Sequence, residues 1–401
     1  MSDLIESIQI VNRFLSLCRG YVEEAVFTAF GSLGLSTLLK APMALHLVAN
    51  ELGVDPDLLK RFLAAAASLG LVEELEGDVW VSKQFKSASF FWKELHAIFK
   101  ENGEADFSTC SAAAKKLLIQ NGVLVEIQDG VHLNPKVESF FSSHSNWNIA
   151  PLIYSYANNS APKMTGQELV TNLSGQSKSA EVKPFSGAGW NLDRLESFLL
   201  AMHHSTAPES AHLMSQISLP IEPYSVLDVG GAMATAAAGF HSRIRTPQRT
   251  VVYDRATSIE LLQRLHKGTG SFEVEFIGGD FFEEASSGGL AGLASAEEFD
   301  FITLGWILHD WSDRDCINIL KKVAMHLSSG GKVCILECVL PNNRRGEVTY
   351  LDVTMMLQTE GNERTLQEYD ELALQAGLKR QSYFDVGLRR QMIVYCKDQN
   401  K

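Results

Sequence analysis

Apolar positions in this chain change period along its length, and the changes mark out the elements. From Ile8 to about Leu39 they fall at helical spacings, with Ile10, Phe14, Leu17, Val22, Ala25, Val26 and Phe30 forming a stripe, which predicts helices with one buried face. Residues 41–85 then read helix, turn, helix and hairpin: APMALHLVANELGV, DPDLLKRFLAAAASLGLV and EELEGDVWVSKQF, with Gly77 at the turn. This is a winged-helix pattern. It recurs. SLGLVEELEGDVWVSKQF from Ser68 aligns with QNGVLVEIQDGVHLNPKV from Gln120 at an offset of 52 residues, placing Gly70 over Gly122, Glu74 over Glu126 and Val79 over Val131. A helix-like run, Ala112–Gln120, precedes the second copy. Asn158 to Gly189 is polar and rich in Ser, Gly, Lys and Asn, with Pro162 and Pro184, and reads as a linker or flap.

From Trp190 onward helical segments alternate with short apolar runs, the pattern of an α/β domain. The helix-like stretch from Trp190 leads to a buried strand at Tyr224–Gly230. Further strands are expected at Arg249–Tyr253 and at the block Phe276–Phe282. The clearest unit runs from Phe299 to Pro341, where apolar runs at Phe299–Leu308 and Lys332–Leu340 flank an amphipathic segment, which is a βαβ unit with parallel strands. Ser312 and Asp315 mark the start of its helix, Ile317, Ile319, Leu320, Val323, Ala324 and Leu327 give its buried stripe, and Gly330-Gly331 is expected to stop it. The chain closes with Gln381–Val386 and Arg390–Cys396, a hairpin turning near Gly387. Three regions follow: a helical domain over 1–157, a linker or flap over 158–189, and an α/β domain over 190–401.

A chain of 401 residues favours more than one core. The formal net charge of −13 argues against a nucleic-acid partner, and the candidate recognition helix of the first winged-helix unit, Asp55–Leu69, carries only Lys60 and Arg61 as cations. No apolar run is long enough to span a membrane, and the opening MSDLIESIQIVNRFL carries acids where a signal peptide carries Lys or Arg. The cytoplasm is the expected location. Six cysteines without CxxC spacing indicate neither a zinc site nor a disulfide framework.

The chemistry-bearing residues gather at strand ends. His309 and Asp310 follow one strand and Glu337 lies in the C-terminal half of the next, so all three should reach the carboxyl edge of a parallel sheet, where ligands bind in open α/β folds. An imidazole beside acids there forms a general-base cluster. Alternatively, His309 and Asp310 are turn residues capping the helix. Upstream, Asp228 ends a strand just before Gly230 and Gly231, a turn at which backbone can approach a nucleotide-like ligand. Asp254 lies 24 residues beyond Gly230, the spacing of an acid that accepts ribose hydroxyls, and Asp280 ends the strand after that.

The run LHDWSD followed by a helix and GKVCILECVLP resembles the small-molecule O-methyltransferases of the plant caffeic-acid and flavonoid and bacterial polyketide-tailoring type. Leu351-Asp352-Val353-Thr354-Met355-Met356 and Glu360-Gly361-Asn362-Glu363-Arg364-Thr365 match the family's next blocks in order and spacing. The resemblance implies a Rossmann-like methyltransferase sheet with an N-terminal α-helical, winged-helix dimerisation domain whose helices intertwine two subunits, hence a homodimer. It implies S-adenosyl-L-methionine as cofactor, which three acids at successive strand ends also suit better than a dinucleotide, since the GxGxxG spacing is absent. By position, His309 is implied as general base, with Glu337 and Glu363 as flanking acids. Ser205, Asp228, Gly230, Gly231, Asp254, Asp280, Phe281 and Trp306 are implied as cofactor contacts, and Met202, Asp310, Met355 and Met356 as substrate contacts. Singly, a Met is more often plain core, Ser205 also reads as an exposed serine, and Glu363 has the alternative of enriching in acid the helix start at the Thr365–Glu368 capping box, with its family position favouring the catalytic reading.

Two departures bear on function. The family's DVGGGTG turn is here DVGGAMA, so Ala232 or Ala234 is strained by about 1 kcal/mol or more if it needs a left-handed backbone. Gly305 stands where plant members carry Lys before the Trp, removing an adenine-side contact. The expected activity is methyl transfer to a hydroxyl of an aromatic or polyketide-like small molecule; the alternative is a methyltransferase fold diverted to hydroxylation or a pericyclic or isomerising reaction.

Overall fold

The computed structural model describes residues 2–18, 20–83, 95, 98, 105–128, 130–141, 166–174, 192–269, 272–283, 288–359 and 361–398. The chain divides into two compact units: one is Met1–Asn191 with Leu340–Glu363, the other Leu192–Val339 with Arg364–Lys401. The sequence assigned 190–401 to one domain, whereas Leu340–Glu363 clusters with the N-terminal unit. Its helix Val348–Gln358 buries Val353 and Met356 in that unit's apolar core.

The first unit opens with helices Ser2–Cys18 and Gly20–Ser32, whose apolar stripe, including Ile10, Phe14, Val22 and Val26, is buried within the chain. Strand β1 (Met43–Ala44), helices Leu45–Leu52 and Pro56–Ser68, and strands β2 (Val72–Leu75) and β3 (Val79–Ser82) make the winged helix, with sheet order β1-β3-β2. The second helix starts cleanly because Asp55 accepts from Asp57 N and Leu58 N and Pro56 follows it.

The repeat is structural. Helix Ala112–Gln120 leads to β4 (Leu124–Ile127) and β5 (Gly130–Leu133). Leu71 N donates to Ala66 O and Val123 N to Leu118 O, the same closure 52 residues apart, and Gly70 and Gly122 both adopt φ 76°. The equivalence then slips. Glu74 pairs with Trp80 but Glu126 pairs with Val131, so Val131 answers to Trp80 rather than to Val79. The second hairpin has one fewer residue between its strands. Within 158–189, residues Gly166–Leu173 form a helix that buries Leu169 and Leu173 in the first unit's core, correcting the linker reading there; the rest of that segment lies outside the described residues.

The second unit is built on a seven-stranded sheet of β6 (Ser225–Val229), β7 (Arg249–Asp254), β8 (Glu275–Gly278), β9 (Phe299–Gly305), β10 (Leu327–Glu337), β11 (Leu378–Phe384) and β12 (Gln391–Lys397), in the order β11-β12-β10-β9-β6-β7-β8. Strands β8, β7, β6, β9 and β10 pair in parallel, and β12 runs antiparallel to both neighbours. The order reverses between β6 and β9, so ligands are expected at the carboxyl ends of those strands. The helix after β9, Asp313–Met325, ends at His326, ahead of Gly330-Gly331. Phe299 N donates to His326 O, and β10 begins at Leu327 opposite Phe299. A bulge between Leu327 and Lys332 takes up Gly330 at φ 79°, so these glycines bend a strand instead of ending a helix.

Candidate active site

Residues 306–310 leave β9 as a tight turn fastened from both sides. Trp306 sits at φ 55°, costly for a bulky residue, and its N–H donates to Leu336 O at 3.1 Å. Glu337, fully buried at the end of β10, accepts from Ile307 N at 3.0 Å and Leu308 N at 2.9 Å through Oε1. From the other side Arg364, 1% exposed, donates to Leu308 O at 2.8 Å and to Trp311 O at 2.7 Å, and pairs with Asp313. The sequence offered no sign of this role for Arg364 except its place next to Glu363.

The clamped turn presents His309, 5% exposed, with its ring stacked on Trp306 at 5.8 Å and 27°. Its Nδ1 faces Glu337 Oε2 at 3.9 Å and its Nε2 faces Asp310 Oδ1 at 3.8 Å. Burial pushes the Asp310 carboxyl up to about 6, opposed by the imidazole and reinforced by Glu337. The capping alternative for this pair fails, since Ser312 Oγ accepts from Asp315 N and caps the helix itself. The imidazole thus faces a buried carboxylate at each ring nitrogen.

Glu363 is the last residue of the first unit, joined by its peptide bond to Arg364. It is fully buried, and its backbone N donates to Asp352 Oδ1 at 2.9 Å. Asp352 is gripped by Arg61 through both carboxylate oxygens, and the same guanidinium reaches Asp352 O and Gly361 O. Arg61 was visible in sequence only as one of two cations on a winged-helix segment. Thr365 and Glu368 form the expected capping box. Met356 is core in the first unit, and Met355 is buried.

At the end of β6 the altered turn keeps a glycine-type backbone. Gly230 lies at φ 64°, Ala232 at 47° and Ala234 at 61°. A Cβ on Gly231 would lie 2.5 Å from Asp228 Cγ, so the turn wraps tightly over that acid. Asp228 is itself 1% exposed: Thr303 Oγ1 donates to it at 2.6 Å and Ala237 N at 3.0 Å, while burial pushes its carboxyl up to about 6. It holds the turn and the following helix, Thr235–His241. Asp254 lies across the turn, accepting from Ala232 N at 3.1 Å and from Arg255 N at 2.8 Å. Asp280 is exposed and accepts from Phe282 N, and Phe281 meets the edge of Trp311.

Helix Leu192–Met214 supplies Met202, half-buried, and Ser205, buried, whose hydroxyl donates to Met202 O at 3.0 Å and so keeps only acceptor capacity for a ligand. A residue the sequence did not flag, His203, ties this helix to Thr235 Oγ1 at 2.9 Å; burial pushes its imidazole down to about 4, leaving it neutral near pH 7.

Sheet order, glycine-type turn and the acids at the ends of β6, β7 and β8 define a Rossmann-like methyltransferase fold. Residues 190–379 match the sequence profile of the O-methyltransferase domain family. The chain is similar to bovine (Bos taurus) acetylserotonin O-methyltransferase, 28% identical over 51% of this chain and 55% of that one. It is 35% identical to caffeic acid 3-O-methyltransferase of Zinnia elegans over 31% of this chain and 34% of that enzyme. The matches thus span about half the length or less of these relatives. Among solved structures, the fold is shared with an O-methyltransferase family 2 protein of Planctomyces limnophilus in complex with apigenin, at 17% identity and TM-score 0.60 over 97% and 96% of the two chains. It is shared too with human N-acetylserotonin methyltransferase in complex with S-adenosylmethionine, at 19% identity and TM-score 0.56 over 97% and 98%.

Proposed function

We propose that the chain is an S-adenosyl-L-methionine-dependent O-methyltransferase acting on a hydroxyl of an aromatic or polyketide-like small molecule, with His309 as general base. The observation that carries this reading is the imidazole locked between Glu337 and Asp310 on a turn clamped by Glu337 and Arg364. The residues around β6 and β7 suit the cofactor. Ala232 and Ala234 reproduce the glycine conformation, Asp254 lies on the turn at the strand end where a ribose diol binds, and the Tyr253 hydroxyl, buried next to it in the chain, has no hydrogen-bond partner among the described residues. Gly230, Gly231, Asp254, Asp280 and Phe281 would hold its nucleoside part and Ser205 its amino-acid end, with Asp228 acting through the turn. When bound, the cofactor supplies an electrophilic methyl group.

This chain's residues hold the acceptor and remove its proton. A phenol with pKa near 10 is ionised in about one molecule in a thousand at pH 7, and a positioned base contributes about 10²–10⁴-fold. His309 Nε2 takes that proton; Glu337 at Nδ1 orients the ring and stabilises its cationic form, and Glu363 is the second acid of the family pattern. Met202, Met355 and Met356 are proposed as soft walls for a flat ring, Met356 from a core position. We place the protein in the cytoplasm as a homodimer. The free thiols of Cys110, Cys316, Cys334, Cys338 and Cys396 support a reducing compartment, and no helix among the described residues is long and apolar enough to cross a membrane. The dimer rests on the family resemblance. The test is methyl transfer from labelled cofactor to a panel of phenols by wild type and His309→Gln. A drop of about 10²-fold or more is expected. Undiminished transfer refutes His309 as base, and product of unchanged mass or with added oxygen, without S-adenosylhomocysteine, refutes methyl transfer.

A further inference from the structure

Two adjacent arginines immediately precede β12, the strand that returns beside β10, and they are treated differently. Arg390, 2% exposed, is neutralised: its Nε pairs with Glu209 at 2.9 Å, and its Nη2 donates to Thr206 O and Ser210 Oγ. Arg389 is not. Its Nε, Nη1 and Nη2 are all buried and none has a hydrogen-bond partner among the described residues. Its guanidinium carbon lies 4.5 Å from the centre of the Trp306 ring, whose Nε1 is likewise buried without a partner. The same ring stacks on His309.

The cation–π contact with the indole compensates only in part for three guanidinium nitrogens withdrawn from water without a hydrogen-bond partner. Five N–H donors in a planar fork match a carboxylate held by two parallel bonds. The neighbouring indole N–H adds a donor of the same sense. Both groups are donors only, so the missing partner is an acceptor. Glu209 is already engaged by Arg390.

We infer that Arg389 is the receptor for a carboxylate on a small molecule laid against Trp306. The carboxylate belongs either to the methyl acceptor, making the substrate an aromatic acid, or to the amino-acid end of the cofactor. The inference rests on the proposed function only for what the ligand does there, and binding tests it without turnover.

The experiment is calorimetric titration of wild type, Arg389→Gln and Arg389→Lys with two matched pairs: 3,4-dihydroxybenzoate against 3,4-dihydroxybenzamide, and S-adenosylhomocysteine against 5′-methylthioadenosine. Wild type is expected to prefer the carboxylate-bearing member of one pair by about tenfold or more. Arg389→Gln abolishes that preference with the neutral member bound as before, and Arg389→Lys retains part of it. The pair that responds names the source of the carboxylate. Should Arg389→Gln prove unfolded by circular dichroism, the partial loss in Arg389→Lys is the readout. Equal affinities within both pairs in wild type, or a preference that survives in Arg389→Gln, overturns the inference. Absence of S-adenosylhomocysteine binding in every protein counts against the proposed function and leaves the benzoate pair readable.

Discussion

Ala232 and Ala234 share a strained backbone but not a surrounding, and the difference decides what glycine would do at each. Left-handed backbone costs a non-glycine residue about 1–2 kcal/mol. Ala232 is half-buried, so Ala232→Gly should stabilise the protein by about 1 kcal/mol, measured by urea denaturation. Ala234 is fully buried among Val226, Ala237 and Phe240, and losing its methyl costs about 0.8 kcal/mol, so Ala234→Gly should be close to neutral. Asp228 carries a pH signature. Its folded-state value of about 6 stands above the ordinary carboxyl value, so between about pH 4 and 6 the folded chain holds more protons there than the unfolded one. The Asp228 contribution to stability is therefore fully present below pH 4, falls as pH rises through 6, and is level above. The stability of wild type relative to Asp228→Asn should decline by about 3 kcal/mol across that window, followed by urea denaturation at each pH. Asp228, Asp254 and His309 were legible in sequence because each follows an apolar run at a strand end. What was not legible is that Asp228 faces inward to Thr303 and the helix start, since strand-end acids look alike until the turn above them is built.

At the scale of elements, two arginines remote in sequence hold the loops that carry the acids. Arg61 binds Asp352, which in turn receives Glu363 N, so the winged-helix segment acts as a brace for the loop ending in Glu363. Arg61→Met leaves Asp352 buried and unpaired and should destabilise the protein by about 3 kcal/mol in urea denaturation. Arg364 spans two carbonyls, Leu308 O and Trp311 O, a reach lysine lacks. Arg364→Lys should therefore fold and lose about a hundredfold in transfer rate, because the turn bearing His309 loosens. Periodicity revealed the strands, the βαβ unit, the first winged helix and the helix and hairpin of its repeat. It misjudged Gly330-Gly331 and the Val79–Val131 match, because the bulge in β10 shifts register by three residues and the shortened hairpin by one, and neither leaves a mark in the apolar pattern. Long-range partners such as Arg61 with Asp352 leave no local trace.

For the whole molecule, the chain passes between its two units at residues 191–192, 339–340 and 363–364, a division no composition shift announced around Leu340. The net charge of −13 and the engagement of both candidate recognition-helix cations, Lys60 with Asp78 and Arg61 with Asp352, favour a small-molecule ligand over nucleic acid. Light scattering should give twice the mass of one chain; the mass of one chain would contradict the proposed dimer. The central claim is that the DVGGAMA turn cradles S-adenosylmethionine, and calorimetric titration with S-adenosylhomocysteine tests it most directly. Binding at about micromolar Kd, weakened at least tenfold by Asp254→Ala, is the predicted result. A folded wild type that takes up no S-adenosylhomocysteine would contradict the account and leave the fold to other chemistry.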